Sequence, residues 1–192
     1  LFMGGMLLFS VNQLKAQVTN TEGFEGITFV PAGWTNENVS GTNLWSRVTA
    51  GTTPSQTPHT GAAEAKFDSY NTDAGVRALI TPAYDLSNVG SNTATVSFWM
   101  YRDNGYNGNA DKIDVFINTT ATVVGATSLG TVNRNRSMAP IVVADGWYEY
   151  TFNVPGTFTG SSNYLILQGT SEYGNNIFID DVSWISYPPV CS

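Results

Sequence analysis

Apolar and polar residues alternate with a period of two through several stretches of this chain. Val96, Phe98 and Met100 share one side of an extended run, and Ser97, Trp99 and Tyr101 share the other. Ile113, Val115 and Ile117 alternate with Asp114, Phe116 and Asn118; Tyr148, Tyr150, Phe152 and Val154 alternate with Trp147, Glu149, Thr151 and Asn153. Successive side chains of a strand point to opposite faces, so this pattern predicts half-buried strands of antiparallel sheets. Two more β-rich runs lie at 163–170 and 176–185. Turn signals separate the runs: Asp103-Asn104-Gly105, Asp145-Gly146, Pro155-Gly156 and Gly174-Asn175-Asn176. Residues 35–75, rich in Thr, Asn, Gly and Pro, read as loop, and only Thr81–Val89 has room for a helical turn. No internal repeat is visible. Many short strands joined by polar turns predict an all-β sandwich or jelly roll.

Composition narrows the function. Only 12% of the 192 residues are charged, about half the usual share, so Thr, Asn, Ser and Gly must make the surface polar. The net charge is −7, which argues against a nucleic-acid binder, since such proteins cluster Lys and Arg. A single Cys excludes an intrachain disulfide and a Cys-based zinc cluster, and a single His leaves no two-His metal site. The length suits one domain with a proper core.

The two ends carry different information. Phe2–Val11 is apolar and uncharged, and a polar segment with Ala16 follows. That is the h-region and exit of a secretory signal peptide without its basic start, so residues 1–17 read as a truncated signal. The stretch falls short of the ~20 apolar residues that span a bilayer, so no stable membrane insertion of the mature chain is expected. An apolar N-terminal strand is the alternative. At the other end, 188–192 (Pro-Pro-Val-Cys-Ser) reads as the start of a linker to further domains, and Cys191 as a thiol with a partner beyond this sequence or an inert one in a frayed tail. The expected location is secreted or cell-surface.

A series of short motifs runs through the remainder. It comprises Phe24-Glu25-Gly26, Pro31-Ala32-Gly33-Trp34, Trp45, His59-Thr60-Gly61 before Ala62-Ala63, Leu79-Ile80-Thr81-Pro82 and Asp85-Leu86. The aromatic strand from Val96 to Tyr101, Trp147-Tyr148 and Ile179-Asp180-Asp181-Val182 complete it. In this order, over about residues 20–187, the series resembles the cleaved-adhesin, or MAM-like, jelly-roll domains of bacterial secreted and surface proteins, including those of gingipain-type proteases. The resemblance implies an all-β, two-sheet antiparallel jelly-roll sandwich that acts as a non-catalytic adhesion or carbohydrate-binding module of a larger exported protein, with a glycan or an extracellular protein as partner. It also implies a structural Ca²⁺ held by Glu25, Asp180 and the carbonyls of Ala62 and Ala63. The chain departs from the family after Trp34, where Asn36, Glu37, Asn38 and Gly41 replace an acidic Asp/Gly run.

The carboxylates bear on the same point. Strand parity places Asp180 with Phe178, Val182 and Trp184, hence inward, and Asp181 outward. A buried carboxylate needs a partner, and Lys and Arg total only eight. Ca²⁺, which takes roughly 6–8 oxygen ligands, is one solution; a capped backbone turn, or Arg77 or Arg102, is another. The segment Asp103–Asp114 has some EF-hand offsets, but it lacks the bidentate Glu and the flanking helices, and it reads as a long hairpin loop.

Sugar sites use exposed aromatic faces beside a few placed polar groups. Tyr70, Tyr101, Arg102, Tyr106 and Tyr173 lie in or beside turns and are candidates for such a surface, whereas Trp34, Trp45, Trp99, Trp147 and Trp184 read as core. No nucleophile elbow, phosphate loop or dinucleotide fingerprint occurs, and His59 sits in a turn, so no enzyme is expected. A spacer or stabilising domain beside a secreted protease or other hydrolase is the alternative to a binding module.

Overall fold

A computed structural model describes residues 17–71, 74–89 and 94–187. The body of the expected signal, the 188–192 linker and Cys191 lie outside the described residues. Eleven strands form two antiparallel sheets, and the described residues include no helix. They are β1 (Val18–Glu22), β2 (Thr35–Ser40), β3 (Trp45–Val48), β4 (Glu64–Phe67), β5 (Val76–Ile80) and β6 (Ala94–Arg102). Then follow β7 (Lys112–Asn118), β8 (Thr127–Asn133), β9 (Gly146–Asn153), β10 (Tyr164–Thr170) and β11 (Ile177–Ser186). The first sheet has the order β3-β4-β11-β6-β9, with β1 also paired to β11; the second runs β2-β5-β10-β7-β8. This is a sandwich, as the alternation predicts, and the two-sheet jelly roll that the resemblance implies.

The core lies between the sheets. Val96, Phe98 and Met100 of β6 face Ile113, Val115 and Ile117 of β7 and Leu165 and Leu167 of β10 across it. Each such side chain contributes roughly 1.5–3 kcal/mol on burial. Trp45 and Trp184 belong to this core and Trp34 packs against its edge. Trp99 and Trp147 do not: β6 turns its odd-numbered residues to the outer face, and the loop 49–63 covers them there.

Three loop expectations are corrected. Residues 35–75 contain β2, β3 and β4. Thr35–Ser40 is a polar edge strand held by its ladder to β5, and Glu64–Phe67 is covered on both faces, so neither shows apolar alternation. Thr81–Val89 forms no helix; Tyr84 bridges Asn163 there, and Leu86–Val89 is a simple turn. The loop after Arg102 joins β6 to β7, which belong to different sheets, so it is a crossover and not a hairpin.

β11 carries the irregularity that matters most. Its register against β6 breaks between Asp180 and Ser183, and Asp181 has φ +47°. Such a bulge inserts a residue and shifts the side-chain parity. Ile177 and Ile179 face the core before it, Val182 and Trp184 after it. Asp180 is therefore not on the core side with Val182 and Trp184; it lies on the outer face, buried beneath the loop 49–63.

Candidate functional site

Two polar assemblies stand out. The first lies where the loops after β6 and β10 meet the loop after β4. Arg134, at the end of β8, is fully buried in a chain with few cations. Its Nη1 donates to Asp103 Oδ1 at 2.9 Å, its Nε to Asp111 Oδ2 at 3.2 Å and its Nη2 to the Tyr106 carbonyl at 3.2 Å. Asp111 Oδ1 accepts from the N–H groups of Glu172, 2.8 Å, and Gly174, 3.1 Å, on either side of Tyr173. Asp103 Oδ1 also accepts from Gly105 N–H and from Asn175 Nδ2, both at 2.7 Å. Asn176 Oδ1 accepts from Tyr70 N–H at 3.1 Å. Two of the three carboxylates of the EF-hand-like stretch thus bind a guanidinium and amides, with Asp103 Oδ2 left without a partner among the described residues. The third, Asp114, accepts from the Thr131 hydroxyl and lies 3.0 Å from Lys112 Nζ.

Above this network stand three of the five candidate residues. Tyr106 and Tyr173 are 52% and 56% exposed. Tyr70 meets Tyr106 edge to face, centroids 5.8 Å apart. The Tyr106 phenol is raised above its ordinary value first by its hydrogen bond to Tyr70, then by Tyr70's charge, with burial and Tyr173 adding less. Tyr106 and Tyr173 have φ +47° and +65°. A bulky residue in that left-handed region is strained by about 1–3 kcal/mol and persists only where its surroundings over-determine it. The buried ion pairs and amide bonds do so here.

The other two candidates lie elsewhere. Tyr101 sits on the outer face of β6 against Trp147, centroids 5.6 Å apart, and burial raises its phenol first, then Asp145 and Asp103. Arg102 is fully buried, which corrects its placement on an exposed surface. Its guanidinium donates to the carbonyls of Arg134, Asn135, Met138 and Pro140 and to the Tyr150 hydroxyl. Burial lowers its pKa from the ordinary value. Its donors are spent on closing the 134–140 turn.

The second assembly lies beneath the loop 49–63. Asp180 Oδ2 accepts from Thr60 N–H at 3.1 Å and Oδ1 from Asp181 N–H at 2.8 Å, so it caps a backbone turn and pairs with neither Arg77 nor Arg102. Asp181 accepts from the Thr60 hydroxyl and lies 2.7 Å from His59 Nδ1. The bulge turns Asp180 and Asp181 toward the same loop, which corrects the expectation that they face opposite ways. His59 stacks on Trp99 at 3.7 Å. Among the described residues no hydroxyl or thiol hydrogen-bonds to His59, so no nucleophile–base pair is assembled.

Glu25 accepts from the N–H groups of Ala62, 3.0 Å, and Ala63, 3.4 Å; these two residues meet it with amide hydrogens. Glu64 is fully buried, takes one bond from Gln56, and has an Oε2 with no partner. Burial pushes Glu64 up to about 8, against the Gln56 bond and with help from Asp180. Burial likewise pushes Asp180 up to about 6, opposed by its amide bonds and aided by Asp181. A Cβ placed on Gly23 would lie 3.2 Å from Asp181 Oδ1, 3.8 Å from Asp180 Oδ1 and 4.0 Å from Glu25 Cγ, so these three carboxylates surround one glycine. These hard oxygens and the orphaned Glu64 Oε2 suit Ca²⁺ chemically. Among the described residues no trio of His, Cys, Asp and Glu side chains is already arranged as a metal cage, so carbonyls and water would have to complete one.

Sequence reasoning passed over Arg134, Glu64 and the His59–Trp99 stack, and met Asp111 only as part of the EF-hand-like segment. The scarcity of cations was the only available signal for Arg134; nothing local marks the others.

No family model and no curated protein matches the chain in sequence. Solved structures do. The K1 cleaved adhesin domain of Lys-gingipain from Porphyromonas gingivalis W83 is 19% identical, with a TM-score of 0.61 over 90% of this chain and 99% of that one. TmCBM61, solved in complex with β-1,4-galactotriose, is 18% identical, with a TM-score of 0.51 over 85% and 94%. A cyclase from Fischerella sp. TAU is 14% identical, with a TM-score of 0.54 over 89% and 98%. One fold thus serves an adhesin domain, a sugar module and an enzyme, so activity has to be argued from the site. The fold of this chain is that of the cleaved-adhesin domains.

Proposed function

We propose that the chain is a non-catalytic binding module of an exported, multidomain protein, and that it takes glycans on the surface formed by Tyr70, Tyr106 and Tyr173. The observation that supports this is the convergence of three tyrosines from three separate loops, two of them strained and more than half exposed, on a buried ionic network. Strain held in place at an exposed aromatic is unnecessary for folding and suits a pre-organised contact. The neighbouring sugar module adds weight to a glycan over a protein ligand.

A glycan array probed with residues 18–187 tests it. Binding that falls at least about tenfold in Tyr106→Ala and Tyr173→Ala, with the melting temperature kept, supports the surface. Undiminished binding in both variants refutes it, and an empty array favours the spacer reading. We also propose a structural Ca²⁺ on Glu25 and Asp180, completed by the carbonyls of Ala62 and Ala63 after their segment re-orients. Thermal melts with millimolar Ca²⁺ against a chelator check this; coincident curves reject it.

A further inference from the structure

We propose that the cleft between the two sheets beside β1 is a second binding site, for one or two neutral sugar rings. It shares no residue with the tyrosine surface and does not depend on it. Asn20 stands opposite Trp184 and Glu22 opposite Val182 in the β1–β11 ladder. Residues directly opposite in a ladder point to the same face, and Val182 and Trp184 face the core. Asn20 and Glu22 therefore look into the space between the sheets. A cavity of about 340 Å³ occurs there, walled also by Trp34, Pro82 and Tyr84. A second, of about 350 Å³, shares Asn20, Ala83 and Tyr84 with it and adds Asp85 and Asn88. Together they make one cleft of the size that small-molecule sites have.

The walls select the ligand. Trp34, edge-on to Phe24 at 5.6 Å, offers a fixed indole, and the stacked pair Tyr84 and Trp184, 4.7 Å apart, makes a rigid floor. Glu22 Oε1 accepts from Phe24 N–H at 2.6 Å, which orients its carboxylate. The indole N–H of Trp184, a residue only 4% exposed, has no acceptor. Among the described residues no Lys, Arg or His lines either cavity, while Glu22 and Asp85 do. Anionic sugars and phosphates are repelled. A neutral pyranose offers C–H faces to indole, hydroxyl donors to carboxylates and hydroxyl acceptors to Asn20.

Indole N–H resonances of Trp34 and Trp184 report directly on the cleft. The full chain is titrated with methyl glucoside, galactoside and mannoside, and with β-1,4-linked disaccharides, to about 50 mM, which fills even a millimolar site. The expected result is a saturable shift of both resonances with at least one sugar. It persists in Tyr106→Ala/Tyr173→Ala and weakens about tenfold, the worth of a good hydrogen bond, in Asn20→Ala and in Glu22→Gln. No shift with any sugar overturns the proposal, as does a shift that both cleft variants leave intact. Resonances that move only when residues 1–16 are deleted also overturn it, by assigning the cleft to the chain's own N-terminal segment, which joins at Val18 on its rim.

Discussion

Replacing Arg134 by Met removes the only cation from a buried set of three charges. Asp111 keeps its two amide donors, Glu172 and Gly174, and Asp103 keeps Gly105 and Asn175, but neither carboxylate retains a countercharge. Breaking a buried pair from one side costs about 3–5 kcal/mol, because the remaining charge stays desolvated. In a domain of this size one kcal/mol moves the midpoint by roughly 2–4 °C, so the expected fall is roughly 6–20 °C. Circular dichroism melts at neutral pH, with urea unfolding as a second measure, give the number. The triple variant Arg134→Met/Asp103→Asn/Asp111→Asn removes all three charges and should recover at least about half of the loss, since replacing a whole buried ionic set is often near neutral. The single variant should also blunt glycan binding at Tyr106 and Tyr173, whose loops it releases. A fall below about 1 kcal/mol, or a triple variant no better than the single, refutes the clamp.

Further outcomes follow from the same geometry. Tyr106→Gly and Tyr173→Gly relieve left-handed strain, so each should raise stability by about 1 kcal/mol while abolishing binding; a melting temperature that drops removes the strain argument. Gly174→Ala should destabilise strongly, because a Cβ there would meet Asp111 Oδ2 at 1.9 Å, and urea unfolding reads the loss. Glu64, raised from 4.5 to about 8, contributes stability that is complete below pH 4.5 and lost as pH rises through about 8; Asp180, raised from 3.8 to about 6, contributes below 3.8 and loses it through about 6. In chelator, unfolding free energy should therefore decline from about pH 4 to about pH 8, and Glu64→Gln should flatten the upper part of that decline. A profile flat over that window in the parent chain counts against both carboxyls.

The strands with one wet and one dry face were legible in the sequence because the period-two pattern of Val96–Tyr101, Ile113–Asn118 and Trp147–Val154 is a direct imprint of that burial. The all-β sandwich class followed from the same pattern, whereas the two-sheet jelly roll followed from the ordered motifs that carry the family resemblance. β2 and β4 were illegible: one is a polar edge and the other is buried on both faces, so neither carries alternation. The bulge at Asp181 was likewise invisible, and with it the true side of Asp180, because one extra residue reverses parity without changing composition. Tyr70, Tyr106 and Tyr173 were recognisable as turn aromatics, but their meeting was not. It depends on Arg134 reaching Asp103 and Asp111 from a separate strand, contacts 31 and 23 residues away in the chain. Arg102 and Arg134 look alike as residues in a polar neighbourhood. Only the tertiary structure separated a cation that closes a turn from one that holds the candidate surface. Local sequence records which face of a strand is dry, whereas a polar site is made by residues from distant segments that leave no periodic trace.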